Sequence, residues 1–347
     1  WITKNPVCGT KIVTGNNNSS LTPVSEKEVY SFKEFFYLIL MKKFGDKGAI
    51  SIDVGDRERV LPTLLKTAIP VTLSSSVISI TKVIDMSMIL RRLQDLGQSS
   101  EEAFAAYGNY TTLALPMFSL APALITSVAM PLIPSLSRAV AMGDREGQTR
   151  AVEEALRCTA IISMPITVGL ALFSRPILQL IFSGEDAAIG VAAPLLTILS
   201  LSVTSSCLIT VGNAVLQAYQ KPTIPIISMV AGSALKIIIA FFLIGDARIG
   251  LLGAPISTFV CDFLINAINF YFIGRCVPEA PNVSRVFWRP FSSALVSVSV
   301  AKLAFNILCS KIGEGSFPTM GAIAFAAILY FVASLVTGAV SRDDIDR

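Results

Sequence analysis

The sequence has 347 residues, of which 53% are hydrophobic and 15% are charged, and its formal net charge is +4. Its mean hydropathy of +0.66 is too high for an ordinary water-soluble protein and indicates an integral membrane protein. Because the chain contains no histidine, a histidine metal site, proton relay or catalytic triad is excluded. The six cysteines stand singly, without a C-x-x-C pair, so they predict neither a zinc site nor a disulfide framework.

The first 60 residues differ from the rest of the chain. The string GNNNSS is a polar, low-complexity linker, and the apolar run from Phe35 to Met41 is too short to span a bilayer. Lysines surround this run, which is typical of an amphipathic helix at the inner membrane surface. Since the chain begins at Trp1 in a polar stretch without methionine, we expect further spans to precede it in the complete protein.

Eight charge-poor segments reach the ~20 residues that a spanning helix needs. They are approximately Thr67–Leu90, Thr111–Ser137, Cys158–Phe182, Ala188–Gln217, Pro222–Ile244, Ile249–Gly274, Pro290–Ser310 and Phe317–Val340. Basic residues are concentrated after the second, fourth, sixth and eighth segments, and the positive-inside rule therefore predicts that both chain ends are cytoplasmic. Prolines recur inside the segments. Kinks on this scale favour a transporter, in which neighbouring helices or a water-lined cavity satisfy the freed backbone groups.

Five ionisable side chains inside the predicted spans are functional candidates, because each is costly to bury in lipid. They are Lys82, Asp85, Lys236, Asp262 and Lys302. At about 1.5 Å per residue, four of them lie about 18 to 22 Å from the cytoplasmic end of their span, and Asp85 lies about 27 Å in. Lys82 and Asp85 can pair along one helix face, and Lys236 and Asp262 can meet across the hairpin of the fifth and sixth spans.

Two interpretations of these charges stay open. They form either self-neutralising pairs that hold helices in register, or a site in which the third lysine leaves a positive charge suited to an anionic ligand. Asn266 and Asn269 share a helix face with Asp262, a pattern typical of interhelical contacts or of a cavity lining. No phosphate loop, dinucleotide fingerprint or nucleophile elbow occurs, so the sequence predicts no enzyme, metal, cofactor or nucleic-acid partner.

Four strings carry a family resemblance: YGNYTTLALPMFSLAPALITSVAMPLIPSLSRA, EEALRCTAIISMPITVGLALFSRPILQLIFSG, LLTILSLSVTSSCLITVGNAVLQAYQKPTIPIISMVAGSALKI and GLLGAPISTFV. In this order they resemble the second half of the stage V sporulation protein B and polysaccharide-biosynthesis flippase family, within the multidrug, oligosaccharidyl-lipid and polysaccharide exporter superfamily. The resemblance implies an all-α membrane fold of two six-helix lobes around a cavity, followed by two further helices. Residues 1–60 would be a cytoplasmic linker, residues 61–275 the second lobe and residues 286–341 the two additional helices. The first lobe would be missing or supplied by a pairing chain.

The resemblance implies a flippase that moves undecaprenyl-diphosphate-linked oligosaccharides or peptidoglycan-precursor lipids across the bacterial inner membrane by alternating access. Its partners would be this substrate, the surrounding membrane lipids and the first lobe. The process served would be cell-envelope or spore-cortex polysaccharide synthesis. Thr111 and Thr112 stand where related lipid II flippases have an arginine, which favours the sporulation-type branch.

On this template, the substrate site comprises Lys82, Asp85, Lys236, Asp262, Asn266 and Lys302. The lysines would offer positive charge to the lipid diphosphate, and the aspartates would compensate the lysines in the empty state. Two alternatives remain. A cation-coupled multidrug exporter of the same superfamily would line its cavity with carboxylates and aromatic rings, and a non-transporting membrane scaffold would need neither mid-span charges nor many prolines.

Overall fold

The computed structural model describes residues 82–278, 283–312 and 315–337, apart from the side chains of 283–286, 311, 312 and 316. Regular structure in these ranges is entirely helical. It comprises α1 (82–95), α2 (Ser100–Asn109), α3 (Leu115–Met142), α4 (Arg145–Ile181), α5 (Asp186–Ala218), α6 (Thr223–Ile244), α7 (Gly253–Cys276), α8 (Val283–Ile312) and α9 (Ser316–Val336).

Seven helical stretches in the described ranges are long and apolar enough to cross a membrane. They are the continuous stretch Ser100–Met142, which joins α2 to α3, and the six helices α4 to α9. The chain is therefore a multi-pass helical membrane protein, and the predicted all-α fold class is confirmed. These stretches correspond to the second to eighth predicted spans. The first predicted span overlaps the described residues only at 82–90, which are helical, and the predicted linker and amphipathic helix of residues 1–60 lie outside them.

The junction between α2 and α3 is a π-helical turn at Tyr110–Ala114. Helix α2 begins with a capping box, in which the Ser99 hydroxyl accepts from the Glu102 backbone N–H at 3.2 Å and the Glu102 carboxylate accepts from the Ser99 N–H at 2.9 Å. Pro116 at the start of α3 has no N–H to donate to the preceding turn. The wider π turn accommodates this proline. The same turn directs the buried Tyr110 side chain into the bundle.

Helix α4 is kinked at Phe173, whose backbone angles of φ −115° and ψ 19° are not helical. Pro176 follows three residues later. It has no N–H to donate to the carbonyl of Leu172, and its ring lies too close to that carbonyl for a regular helix. The kink therefore follows from the local sequence. As a result, the axis of the last two turns of α4 differs in direction from the axis of the first part of the helix.

Helix α5 lies at the centre of the bundle and packs against α3, α4 and α7. Its side chains Leu196, Leu199 and Val203 are completely buried, and the helix has no charged residue after Asp186, as a central position requires. A second apolar core joins α8 and α9 to α4. There the Tyr330 hydroxyl donates to the Ile161 carbonyl at 2.9 Å, so α9 is fixed to α4 by a directional bond as well as by packing.

Helices α6 and α7 approach each other closely at Gly232. A Cβ atom at this position would lie 2.5 Å from Cγ1 of Ile265 and 3.1 Å from Sγ of Cys261. Glycine is therefore required for the observed spacing of the two helices. This contact sets the position of the α7 face that carries Asp262, the residue that follows Cys261.

Candidate functional site

An ion pair links α1 to α6 within the membrane-spanning part of the protein. The Lys236 ammonium donates to Oδ2 of Asp85, a buried residue with 7% of its surface exposed. The second carboxylate oxygen, Oδ1, is buried without a hydrogen-bond partner among the described residues. Two turns along α1, the Arg92 guanidinium lies 3.5 Å from the centroid of the Phe241 ring of α6. Two cationic side chains, Lys236 and Arg92, therefore contribute to the α1–α6 contact.

A row of polar side chains on α7 faces α5 and α6. Asp262 is buried and accepts a hydrogen bond from the Ser206 hydroxyl of α5, and Asn266 donates to the Ser205 carbonyl at 2.9 Å. Oδ1 of Asn266 is buried without a partner among the described residues. The Asp262 and Asn266 side chains therefore both join α7 to α5.

The next polar residue of this row, Asn269, is completely buried between three helices. Its amide donates to Oδ1 of Asn213 on α5 at 2.9 Å, and its carbonyl oxygen accepts from the Ser228 hydroxyl of α6 at 2.8 Å. Both of these hydrogen bonds are interhelical, which favours a structural role for Asn269.

We call Asp85, Tyr110, Lys236, Asp262 and Asn266 the membrane polar cluster. The buried Tyr110 hydroxyl lies within electrostatic range of Asp85 and Asp262, and the Lys236 ammonium lies within electrostatic range of Asp262, without direct bonds between these groups among the described residues. Residues from α1, the π turn, α6 and α7 are therefore close enough for their charges to act on one another. A π turn beside such a group is a common feature of functional sites. Within the described part of the chain, no three Cys, Asp or Glu side chains come together as a metal site.

The pairing of charges differs from the two pairs considered from the sequence. Lys236 pairs with Asp85 of α1 rather than with Asp262 of α7. Lys82 is exposed and forms no ion pair with any described residue. The predicted excess of positive charge does not hold locally, because the cluster contains one lysine and two aspartates.

Lys302 lies away from the membrane polar cluster. Its ammonium is 4.8 Å from the centroid of the Phe173 ring and 5.1 Å from that of Phe305, in the core between α4 and α8. The predicted site residues therefore separate into three locations. Asp85, Lys236, Asp262 and Asn266 lie together, Lys82 lies on the exposed side of α1, and Lys302 lies on α8 near Phe173 of α4.

Sequence reasoning missed Tyr110 and Ser206. The sequence around Ser206, VTSSCLIT, contains several hydroxyl residues, and only the packing of α5 on α7 selects the one that meets Asp262. For Tyr110 a signal was present, since the bulky aromatic residue comes six positions before Pro116, where an irregular helical turn is common.

The fold and the cluster define a class of protein: a polytopic helical membrane protein with buried charges between packed spans, an arrangement typical of transporters. Comparison with known families identifies the family within this class. The family profile described as lipid II flippase MurJ matches residues 33–330, and the chain belongs to the MurJ lipid II flippase family. The predicted membership of a flippase group is thereby confirmed at this level, whereas the sporulation-type branch stays a prediction.

Curated relatives of the chain are distant. It is 22% identical over 289 residues to the uncharacterized membrane protein YabM of Bacillus subtilis (strain 168), covering 82% of this chain and 52% of YabM. It is 23% identical over 189 residues to the uncharacterized membrane protein MJ1068 of Methanocaldococcus jannaschii, covering 54% of this chain and 36% of that protein. The chain thus spans about half, or less, of the length of these relatives.

Solved structures share the fold at low sequence identity. Lipid II flippase MurJ in an inward closed conformation superposes with a TM-score of 0.61 at 15% identity, covering 90% of this chain and 60% of that chain. A crystal structure of MATE in complex with MaL6 superposes with a TM-score of 0.51 at 18% identity, covering 78% and 64%. At these identities the likeness establishes the architecture alone.

Proposed function

We propose that the chain forms the second helical lobe and the two additional helices of a flippase for undecaprenyl-diphosphate-linked sugars or peptidoglycan-precursor lipids in the bacterial inner membrane. Membership of the MurJ family supports a lipid-linked substrate, and the fold supports alternating access. The observation that carries the proposal at the level of residues is the buried ion pair between Lys236 and Asp85.

A first lobe, either on the same polypeptide or on a pairing chain, completes the central cavity in this proposal. Both ends of the present chain are cytoplasmic, as the distribution of basic connections predicts. The hydroxyl residues Thr111 and Thr112 in the π turn support the sporulation-type branch, and hence an oligosaccharide lipid in preference to the peptidoglycan precursor.

The Lys236–Asp85 pair suits a site that must accept and release a diphosphate. In the empty state Asp85 neutralises the Lys236 ammonium. An incoming diphosphate carries more negative charge than one carboxylate, and the flexible lysine stem lets the ammonium change partner without movement of the backbone. Lys82, one turn before Asp85 and exposed, is placed to add a second positive charge on the same helix.

Exchange of partners also couples binding to a change of conformation. When Lys236 turns to the diphosphate, Asp85 becomes a buried carboxylate without a partner, which is strongly unfavourable. A state in which α1 and α6 separate and water reaches Asp85 removes this penalty. Substrate binding therefore favours the separated state, as alternating access requires.

The test compares two single substitutions at the ion pair. The protein is purified through an affinity tag introduced at its natural locus, so that any associated chain is retained. Binding of a fluorescent undecaprenyl-diphosphate-linked disaccharide is then measured in nanodiscs. We expect Lys236→Met to weaken binding about tenfold or more, because a charge-assisted hydrogen bond contributes about 1.5–3 kcal/mol. Asp85→Asn frees the lysine and should leave binding equal or tighter.

Arg248→Gln, which removes an exposed positive charge in the α6–α7 connection, is the matched control and should bind like the natural protein. Equal losses in Lys236→Met and Asp85→Asn would mean that the pair only holds α1 against α6. Binding of a cationic dye that is lost in Asp85→Asn and kept in Lys236→Met would favour the multidrug-exporter alternative. Absence of any ligand binding would favour the scaffold alternative.

A further inference from the structure

A second polar site lies at the end of the bundle where α4 and α8 end and α5 and α9 begin. A cavity of about 400 Å³ opens there between these four helices. Its polar lining includes Arg175, Gln179, Asp186, Lys302, Asn306 and Thr319. None of these residues belongs to the membrane polar cluster, so the cavity is a separate feature of the protein.

The kink in α4 helps to form this cavity. The change of direction at Phe173 precedes Arg175, and both Arg175 and Pro176 line the cavity. The Phe173 ring packs edge to face on Phe305 of α8, with 5.5 Å between the ring centroids, and the Lys302 ammonium lies near both rings. The aromatic pair therefore positions the lysine at the side of the cavity that faces the kinked end of α4.

Positive charge predominates in the lining. Among the described residues of the lining, Arg175 and Lys302 face one carboxylate, Asp186, and no ion pair joins Arg175 to Asp186. The amides of Gln179 and Asn306 supply further hydrogen-bond donors. A guanidinium, an ammonium and two amides around one cavity are the donor set that phosphate oxygens prefer.

The two cations lie at different depths below the ends of their helices. Arg175 lies six residues before the end of α4 at Ile181, and Lys302 lies ten residues before the end of α8 at Ile312. These intervals correspond to about 9 and about 15 Å along a helix. Arg175 therefore lies near the level where a lipid phosphate meets the acyl chains, and the long Lys302 side chain can extend towards that level from deeper in the span.

The surroundings of the cavity favour a lipid over a free ion. Leu303 and Ile307, which follow Lys302 and Asn306 in the sequence, are 64% and 62% exposed, as expected for side chains that face acyl chains. Leu180 and Ile189 add apolar surface inside the cavity itself. A ligand that combines a phosphate with a hydrophobic part fits these surroundings best.

We propose that this cavity binds the phosphate group of an anionic membrane phospholipid, held between Arg175 and Lys302. The lipid is a resident ligand that fastens the additional helices α8 and α9 to α4, and the proposal does not depend on which lipid the protein transports. On the topology predicted from the basic connections, the lipid belongs to the outer leaflet.

The experiment measures lipid retention by native mass spectrometry of the purified, delipidated protein. The probes are dioleoylphosphatidylglycerol, uncharged dioleoylglycerol and inorganic phosphate. We expect saturable binding of the phosphatidylglycerol, and we expect the double variant Arg175→Gln/Lys302→Gln to bind it about tenfold more weakly or worse. The conservative double variant Arg175→Lys/Lys302→Arg should retain most of the binding.

The matched control is Arg138→Gln/Arg248→Gln, which removes two exposed charges elsewhere and should not change retention. Thermal unfolding of each variant shows that it is folded. Equal retention of dioleoylglycerol would overturn the role of the phosphate. Binding of inorganic phosphate without binding of the phospholipid would overturn the assignment to a lipid. Unchanged phospholipid binding in the Gln double variant would overturn the site itself.

Discussion

Loss of Lys236 alone should destabilise the protein more than loss of both charges of the ion pair. Asp85 has 7% of its surface exposed, and its Oδ1 has no partner among the described residues. Removing Lys236 would therefore leave a buried carboxylate with neither oxygen paired to a described side chain. Breaking a buried pair in this way costs about 3–5 kcal/mol, and because the Lys236 side chain is 26% exposed we expect about 2–3 kcal/mol for Lys236→Met.

The reverse substitution should cost less. In Asp85→Asn the lysine keeps access to water, so we expect a loss of about 1 kcal/mol. The double variant Asp85→Asn/Lys236→Met leaves no buried charge and should also lose only about 1 kcal/mol. The resulting coupling energy between the two sites is about 2 kcal/mol.

The assay is reversible unfolding in mixed micelles by titration with dodecyl sulfate, followed by circular dichroism. The natural protein and the three variants give the complete double-mutant cycle. A coupling energy below about 0.5 kcal/mol would refute the reasoning, since contacting residues that form a buried pair must be coupled more strongly than distant ones.

Three further predictions concern packing and pH. Gly232→Ala should cost about 1–3 kcal/mol by pushing α6 away from Ile265, while Gly169→Ala, whose Cβ would meet nothing within 4 Å, should be neutral or slightly stabilising in thermal unfolding. Tyr330→Phe should lose about 1 kcal/mol and increase hydrogen exchange in α9, because the bond to the Ile161 carbonyl is removed. Burial raises the pKa of Tyr219, which lies between α5 and α6, above its usual 10.0, and the nearby Cys276 raises this pKa further. The folded state therefore holds this proton more tightly, and the stability advantage of the natural protein over Tyr219→Phe should be constant below pH 10 and decline above it.

The spans could be predicted from the sequence because their signal is local. An apolar run of sufficient length, such as the one in α5, must be a helix in lipid, and its ends are marked by charged or polar residues. Prolines inside the spans predicted irregular helices by a local rule as well, and the π turn before Pro116 is such an irregularity, whereas the kink before Pro176 was not predicted. Membership of a flippase group was likewise predictable, since it rests on ordered strings along the chain.

The partner of Lys236 could not be predicted in the same way. Asp262 is closer in the sequence and lies on the neighbouring helix of the hairpin, whereas Asp85 is 151 residues away. The choice depends on the rotation of α6 about its axis, which is set by the close approach at Gly232 and by the stacking of Arg92 on Phe241. Neither contact has a signature in the sequence.

The location of Lys302 illustrates the same limitation. Its depth in the predicted span matched that of Lys236, and depth alone suggested a common layer. Depth does not specify which helices surround a residue. Packing of α8 on α4 places Lys302 against Phe173 and Phe305, so its role had to be inferred from the cavity beside it.

The central proposal is that this chain is part of a flippase that moves a lipid-linked sugar across a bilayer. Measurement of the transbilayer movement of that lipid is the most direct test of this proposal. The affinity-purified protein, with any associated chain, is reconstituted in vesicles that contain nitrobenzoxadiazole-labelled undecaprenyl-diphosphate-linked disaccharide. External dithionite then reports how much label reaches the outer leaflet. We expect movement well above that of protein-free vesicles, loss of it in Lys236→Met and no loss in Arg248→Gln. Movement no faster than in protein-free vesicles, or equal movement in Lys236→Met, would contradict the account.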